Sequence, residues 1–422
     1  MKKAKLLIAA MFMAVTLGLP AKAVFAAAIT ITQADLATAC SGTPTKGITC
    51  STTDERYTLA AGEYVLGSDL DLGTYNLGLS GAGNYILNLG NHVITSAVNT
   101  AKNSSTITVV NSGKTTAIKN GKIANTGMGG GTALSIGGSI ATISDVTLSS
   151  NADTAEINNF GTTAANVTFN NVVSNKHINV MGDSTLTINS GTYSGDMMGA
   201  VSTSLAFDPI TFEYNDDGGH LIINGGTFAS AASSAIYANG IGKKASVEIN
   251  GGSFTSEGDT GMEVLGAKSV KVTGGTFTGK EAGLRLAEYT SVVLSGGTYK
   301  ATGTEVDNGA ITMLATNESK LSTLLAAGYK YTDGAAAMGT LFGEPLAYLT
   351  SKNVSVVSTS TSTNDETNTE DTTSSNTIGA PDSGRNTKET SATTSALVSI
   401  LASSVLLGGI YAGKKHFAKK QA

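Results

Sequence analysis

One eight-residue pattern returns five times through the middle of the chain, and it restricts the fold more than any other feature. The copies are residues 186–193 (LTINSGTY), 221–228 (LIINGGTF), 247–254 (VEINGGSF), 270–277 (VKVTGGTF) and 292–299 (VVLSGGTY). Each reads apolar, any, apolar, polar, Gly or Ser, Gly, Thr or Ser, aromatic. Fainter copies precede them at 118–123 (IKNGKI), 143–148 (ISDVTL) and 169–174 (FNNVVS). On the second glycine they align at Gly121, Val146, Val172, Gly191, Gly226, Gly252, Gly275 and Gly297. The steps are 25, 26, 19, 35, 26, 23 and 22 residues.

A step in the low twenties, made of short alternating strands and turns, is what one coil of a parallel β-solenoid needs. A coil cannot bury its own apolar face, so coils must stack at the strand spacing of about 4.8 Å. Some ten coils then make a rod roughly 50 Å long. Alternation places Ile223, Ile249, Val272 and Leu294 on one inward stack. The paired glycines suit a corner with φ > 0. Asn224 and Asn250 can ladder at that corner, and Phe228, Phe254, Phe277 and Tyr299 can stack on the next face. A propeller blade needs about 40 residues or more, and a β-sandwich would not keep its glycines in register. The expected fold is therefore all-β: a right-handed parallel β-helix over residues 29–355 with short helical caps. The first cap is a helix at 32–39, with Thr32 as N-cap and Asp35 three residues on. The second is a helix at 319–327 closed by Gly328, followed by strands at 329–331 and 354–357. The 35-residue step holds about a dozen extra residues, placed as a loop near 197–219, where a solenoid tends to carry function.

The run 64–94, with YVLGSDLDLGTYNLGL and YILNLGNHVI, resembles the opening coils of bacterial surface proteins with a pectin-lyase-like β-helix. The NGGTF-type coils and LLAAGYKYTDG at 324–334 resemble their body and C-terminal cap. The resemblance implies the fold and leaves the activity open, because that fold hosts adhesins, structural rods, lyases and hydrolases.

Both chain ends carry export patterns. Lys2, Lys3 and Lys5 precede an apolar stretch at 6–19, broken by Pro20 and followed by Ala21, Ala23, Ala26 and Ala28. This pattern reads as a signal peptide over 1–26, expected to be cut by signal peptidase. Residues 356–379 are almost all Ser, Thr, Asn, Asp and Glu, and 356–394 read as a disordered stalk. Residues 395–413 are uncharged and long enough for a transmembrane helix. The basic tail 414–422 places that end in the cytoplasm and the β-helix outside. Ala380, Pro381, Asp382, Ser383 and Gly384, with this span and tail, resemble a variant LPxTG-type sorting signal. Alanine replaces the usual leucine and serine the usual threonine. The resemblance implies a sortase-like transpeptidase that cuts after Ser383 and joins it to the cell wall; without that cut the protein stays a single-pass membrane protein.

Composition narrows the partners. Charged residues are 14 % and the net charge is −5, which leaves no basic stripe for nucleic acid. Cys40 and Cys50 are the only cysteines and are expected to pair in an oxidising compartment.

Candidate chemistry is sparse. The arginines are Arg56, Arg285 and Arg385, too scattered for a lyase base with its carboxylates. Asp216, Asp217 and His220 are the best catalytic or calcium-binding candidates, although they also read as a polar turn before the strand at Leu221. Neighbouring aspartates in an extended chain point apart. Asp69 and Asp71 can share a strand face and also read as a solvated edge. His92, His177 and His220 form no ligand set, so no metal or cofactor is expected. No carboxylate returns at one coil position in adjacent repeats. The reading is a non-catalytic surface adhesin or glycan-binding ectodomain. The alternatives are a polysaccharide lyase or glycoside hydrolase and a passive envelope rod.

Overall fold

The structure, a computed structural model, describes residues 27–360 except 100–103, 129–130, 196–198, 204, 209–212, 239–244, 288, 306–307 and 342. The residues read as signal peptide (1–26), sorting signal (380–384), span (395–413) and tail (414–422), and all but the start of the expected stalk, lie outside them. No described helix is long and apolar enough to cross a membrane.

The chain is all-β. The described strands form a 21-stranded sheet, a 14-stranded sheet and a two-stranded antiparallel pair. A later coil lays one strand on each of three faces, whereas Thr115–Asn125 and Ile140–Ser149 each run across the first two. His220–Ile223, Thr227–Ser230 and Ile236–Ala238 make one coil. Ser246–Ile249, Ser253–Ser256 and Thr260–Val264 lie on it strand for strand. On the first face, strands beginning at residues 62, 85, 115, 140, 166, 185, 220, 246, 267 and 289 give ten layers. Their neighbours pair in parallel. This is the repeating arrangement of a parallel β-helix.

The register is the one read from the glycines. Gly121 pairs Val146, and Val172 pairs Gly191. The residues after Gly191, Gly226, Gly252, Gly275 and Gly297 pair in turn. Alternation sends Ile188, Ile223, Ile249, Val272 and Leu294 inward, fully buried. On the second face Tyr193, Phe228, Phe254, Phe277 and Tyr299 stack in one buried file, with ring centroids 4.7–5.1 Å apart.

The corner explains why the upstream copies are faint. In the later coils the third corner residue is left-handed, with φ +111 at Gly226 and +112 at Gly252. In the earlier coils the second corner residue takes that role: Asn120, Asp145 and Asn171, at φ 60, 57 and 51. Asparagine and aspartate tolerate this region. Val146 and Val172 are then free to turn inward and are buried. The asparagine ladder runs further than Asn224 and Asn250. Asn189 Nδ2 donates to Asn170 Oδ1, Asn224 Nδ2 to Asn189 Oδ1, and Asn250 Nδ2 to Asn224 Oδ1, at 2.8, 2.8 and 3.0 Å.

Both ends close by antiparallel pairing. At the first, helix Gln33–Cys40 begins after Thr32, whose N–H and hydroxyl donate to Asp35 Oδ2. Strand Ile48–Ser51 pairs antiparallel with Arg56–Leu59. A disulfide joins Cys40 to Cys50, with Cα atoms 4.9 Å apart. At the other end the expected helix is shorter and tighter, a 3₁₀ helix at Glu318–Leu324 capped by Asn317. It ends at Leu325 in extended conformation, so Gly328 is not its cap; Gly328 turns the chain, at φ +82, into Tyr329–Tyr331. Strand Asn353–Ser358 crosses the last second-face strand antiparallel. It runs past residue 356, so residues 356–358, assigned to the stalk, belong to this closing strand.

Candidate functional site

The extra residues of the long step form an antiparallel hairpin, Leu205–Asp208 with Glu213–Gly218, between a third-face and a first-face strand. Asp216 and Asp217 are therefore strand residues, not a turn, and their side chains fall outside those described. His220 opens the next first-face strand, and its Nδ1 lies 2.7 Å from Ser246 Oγ. Among the described residues no group of His, Cys, Asp and Glu is arranged to hold a metal ion.

The other early candidates serve local bonds. Asp69 accepts from the Val93 N–H at 3.0 Å and faces His92 Nδ1 at 3.1 Å. The Val93 bond, then His92, holds its carboxyl below the usual range. Asp71 Oδ1 accepts from the Gly73 N–H.

Two surfaces stand out. The first is the outer side of the first face near the hairpin, where a shallow groove of about 400 Å³ opens. One rail of it is Thr185, His220, Ser246, Ser269 and Ser291, in register on successive strands. The second rail, two residues along, is Ile222, Glu248, Lys271 and Val293. Lys271 Nζ meets Glu248 Oε1 at 3.0 Å, so the charges cancel within the rail. The groove thus offers hydroxyls at strand spacing beside an apolar edge.

The second surface is the outer column of the third face. It carries Glu156, Asn179, Ser202, Tyr237, Glu263, Arg285 and Thr312 in register. The inward residues beside it, such as Ile236, Met262 and Leu284, belong to the core. The column points away from that core, yet Ser202, Glu263 and Arg285 are almost fully buried. Near one end His177 Nδ1 lies 3.1 Å from Asp153 Oδ1, and its Nε2 lies 2.7 Å from Ser202 Oγ. That is the Asp–His–Ser order of an activated hydroxyl. Ser202 has no exposed surface, however, and its hydroxyl also lies 3.3 Å from Asn179 Oδ1. No substrate carbonyl can reach a hydroxyl so covered, and the Asp153–His177–Ser202 chain works as a cross-coil polar ladder. Burial, with Asp153 adding and His177 opposing, pushes the Glu156 carboxyl up.

At the other end Arg285 Nη1 donates to Asp259 and Glu263 at 3.0 and 3.3 Å, and Nη2 bonds Glu281. This corrects the expectation that no carboxylate returns at one coil position. Asp259 and Glu281 stand at the same corner of adjacent coils, where the Glu281 N–H donates to the Asp259 carbonyl at 3.0 Å. The repeat pattern gave no sign of it, because the corners leading to the third face differ in length from coil to coil. All three carboxylates are engaged by the guanidinium, so the cluster ties coils together and offers no free acid and base pair.

Comparison with family models, curated proteins and solved structures finds no match for this chain.

Proposed function

We propose that the chain is a non-catalytic surface module: a right-handed β-helix of the pectin-lyase-like kind, exported, stalked and held at the envelope by its C-terminal span or a sortase-like transpeptidase. Its ligand is an extracellular neutral glycan lying in the first-face groove. A right-handed crossover is the rule for parallel strands in one sheet. The export patterns at both ends and the Cys40–Cys50 bond support an extracellular setting.

The groove carries this reading. Its hydroxyl rail repeats at about 4.8 Å along the rod, and the second rail stands about 6.6 Å away along each strand. A linear glycan running along the axis would place its hydroxyl edge on Thr185, Ser246, Ser269 and Ser291. Its C–H faces would rest on Ile222 and Val293. The self-neutralised Glu248–Lys271 pair disfavours a strongly charged chain.

The test is a panel of neutral and acidic polysaccharides, scored for retention and for newly released chain ends. Retention of a neutral glycan, lost at least tenfold in Ser269→Trp, is the expected result. Released ends would overturn the non-catalytic reading. Binding that Ser269→Trp leaves intact would overturn the groove.

A further inference from the structure

The third-face cluster has a hydrogen-bond count that does not close when every acid is ionised. Asp259 and Glu263 share Arg285 Nη1 through one oxygen each. Their other oxygens, Asp259 Oδ2 and Glu263 Oε2, each lie 3.1 Å from the Ser234 hydroxyl. That hydroxyl has one hydrogen and also lies 2.8 Å from Thr260 Oγ1. One hydrogen cannot serve both carboxylates. A proton on Glu263 Oε2 closes the count: Glu263 donates to Ser234, and Ser234 donates to Asp259.

We propose that the Asp259–Glu263 pair is a proton-binding site that makes the stability of the coils between residues 220 and 314 depend on pH, firm in acid and loosened above neutrality. This inference is independent of the groove. The charged and titratable groups facing Glu263 among the described residues are Asp259, Arg285, Glu281 and Tyr237. Three carboxylates meet one guanidinium, so full ionisation leaves buried negative charge in excess. Arg285 Nε finds no acceptor, and its neighbour in register, Thr312, has a hydroxyl without a partner. Burial, then Asp259, pushes the Glu263 carboxyl up to about 7, against Arg285 and Ser234. Burial, then Glu263 and Asp259, also raises Tyr237, which stays a neutral phenol.

The direction follows from linkage. The folded state holds this proton more tightly than the unfolded chain, whose carboxyl titrates near 4.5. The contribution is therefore complete below about pH 4.5, declines as pH rises, and is gone once pH has passed through about 7. Ser234–Tyr237, Asp259–Glu263 and Glu281–Arg285 sit on three successive coils, so losing the proton loosens three layers at once.

The test is amide hydrogen exchange on the full-length chain at pH 6 and pH 8, corrected for the intrinsic chemical rate. Opening of Thr260–Val264 and Ala282–Leu286 is expected to increase about tenfold from pH 6 to pH 8 in the native chain and to stay flat in Glu263→Gln. Equal pH dependence in both would overturn the proposal. Asp259→Asn removes the like charge and is expected to move the loosening to lower pH; an unmoved midpoint would overturn the part assigned to Asp259 in holding the proton on Glu263. If a variant fails to fold, the carboxyl carbon shift of Glu263 in the native chain decides: a midpoint near 7 supports the site, and one near 4.5 overturns it.

Discussion

Phe254 and Phe277 lie on adjacent coils with ring centroids 4.7 Å apart and planes 12° from parallel. An isolated aromatic pair prefers an offset or edge-to-face arrangement. Here the parallel ladder sets the separation, because rings in register on neighbouring strands must sit at about the strand spacing. Backbone pairing thus holds the rings near-parallel at a separation inside the range that stacked aromatic pairs favour, and burial adds to it, since all five rings of the file are fully buried.

Phe254 touches a ring above and a ring below. Truncation in Phe254→Ala is expected to cost about 4–5 kcal/mol, the upper end for a buried aromatic. Phe254→Leu refills part of the space and is expected to cost about 2 kcal/mol or less. Urea unfolding followed by near-ultraviolet circular dichroism measures both. Equal losses for the two variants would show that the ring contacts of the file, and not the filled volume, carry its stability.

The two corner types make a paired prediction. A Cβ on Gly252 would lie 3.1 Å from Phe254 Cζ and 3.2 Å from the Gly226 carbonyl oxygen, at φ +112. Gly252→Ala is expected to destabilise by about 2 kcal/mol. Asn171, at φ 51, donates from Nδ2 to Asp145 Oδ1 at 2.8 Å. Asn171→Gly loses that exposed bond but gains freedom in the same region, for a net change within about 1 kcal/mol. Thermal unfolding of the two variants checks the contrast, and a larger loss at Asn171 would reverse the account of the corner.

The buried Asp153–His177–Ser202 chain is read as structural, and a fluorophosphonate probe tests that. No labelling of Ser202 is expected in the folded chain. The substitution Ser202→Ala removes the partner of His177 Nε2 and is expected to cost about 1–3 kcal/mol. Covalent modification of Ser202, abolished in His177→Ala, would establish a working hydroxyl nucleophile.

The faces that repeat were legible in the sequence, and the one that does not was hidden. The glycines announced the first and second faces because Gly226, Gly252, Gly275 and Gly297 take positive φ at one corner. Phe228 and its neighbours then followed by alternation. Asn120, Asp145 and Asn171 kept the same turn while shifting it by one residue, which is why the early copies looked weak. Glu263 and Arg285 carry no such mark. They belong to strands whose preceding corners vary in length, and only stacking brings Asp259, Glu263 and Glu281 around one guanidinium. The groove was equally hidden, since Ser246, Ser269 and Ser291 read as ordinary outward residues until register set them in line.

The antiparallel strand Asn353–Ser358 lies across Thr298–Ala301 where an eleventh coil would otherwise begin. A reversed strand is a poor template for another coil, so the solenoid cannot lengthen by adding chain at that end, nor by a second molecule continuing the spiral. Any change of length in a descendant gene would have to be internal, one whole turn inserted or deleted between existing turns with both terminal plugs kept. At this end the molecule is therefore a ruler of fixed length, whose divisions are counted out in its coding sequence.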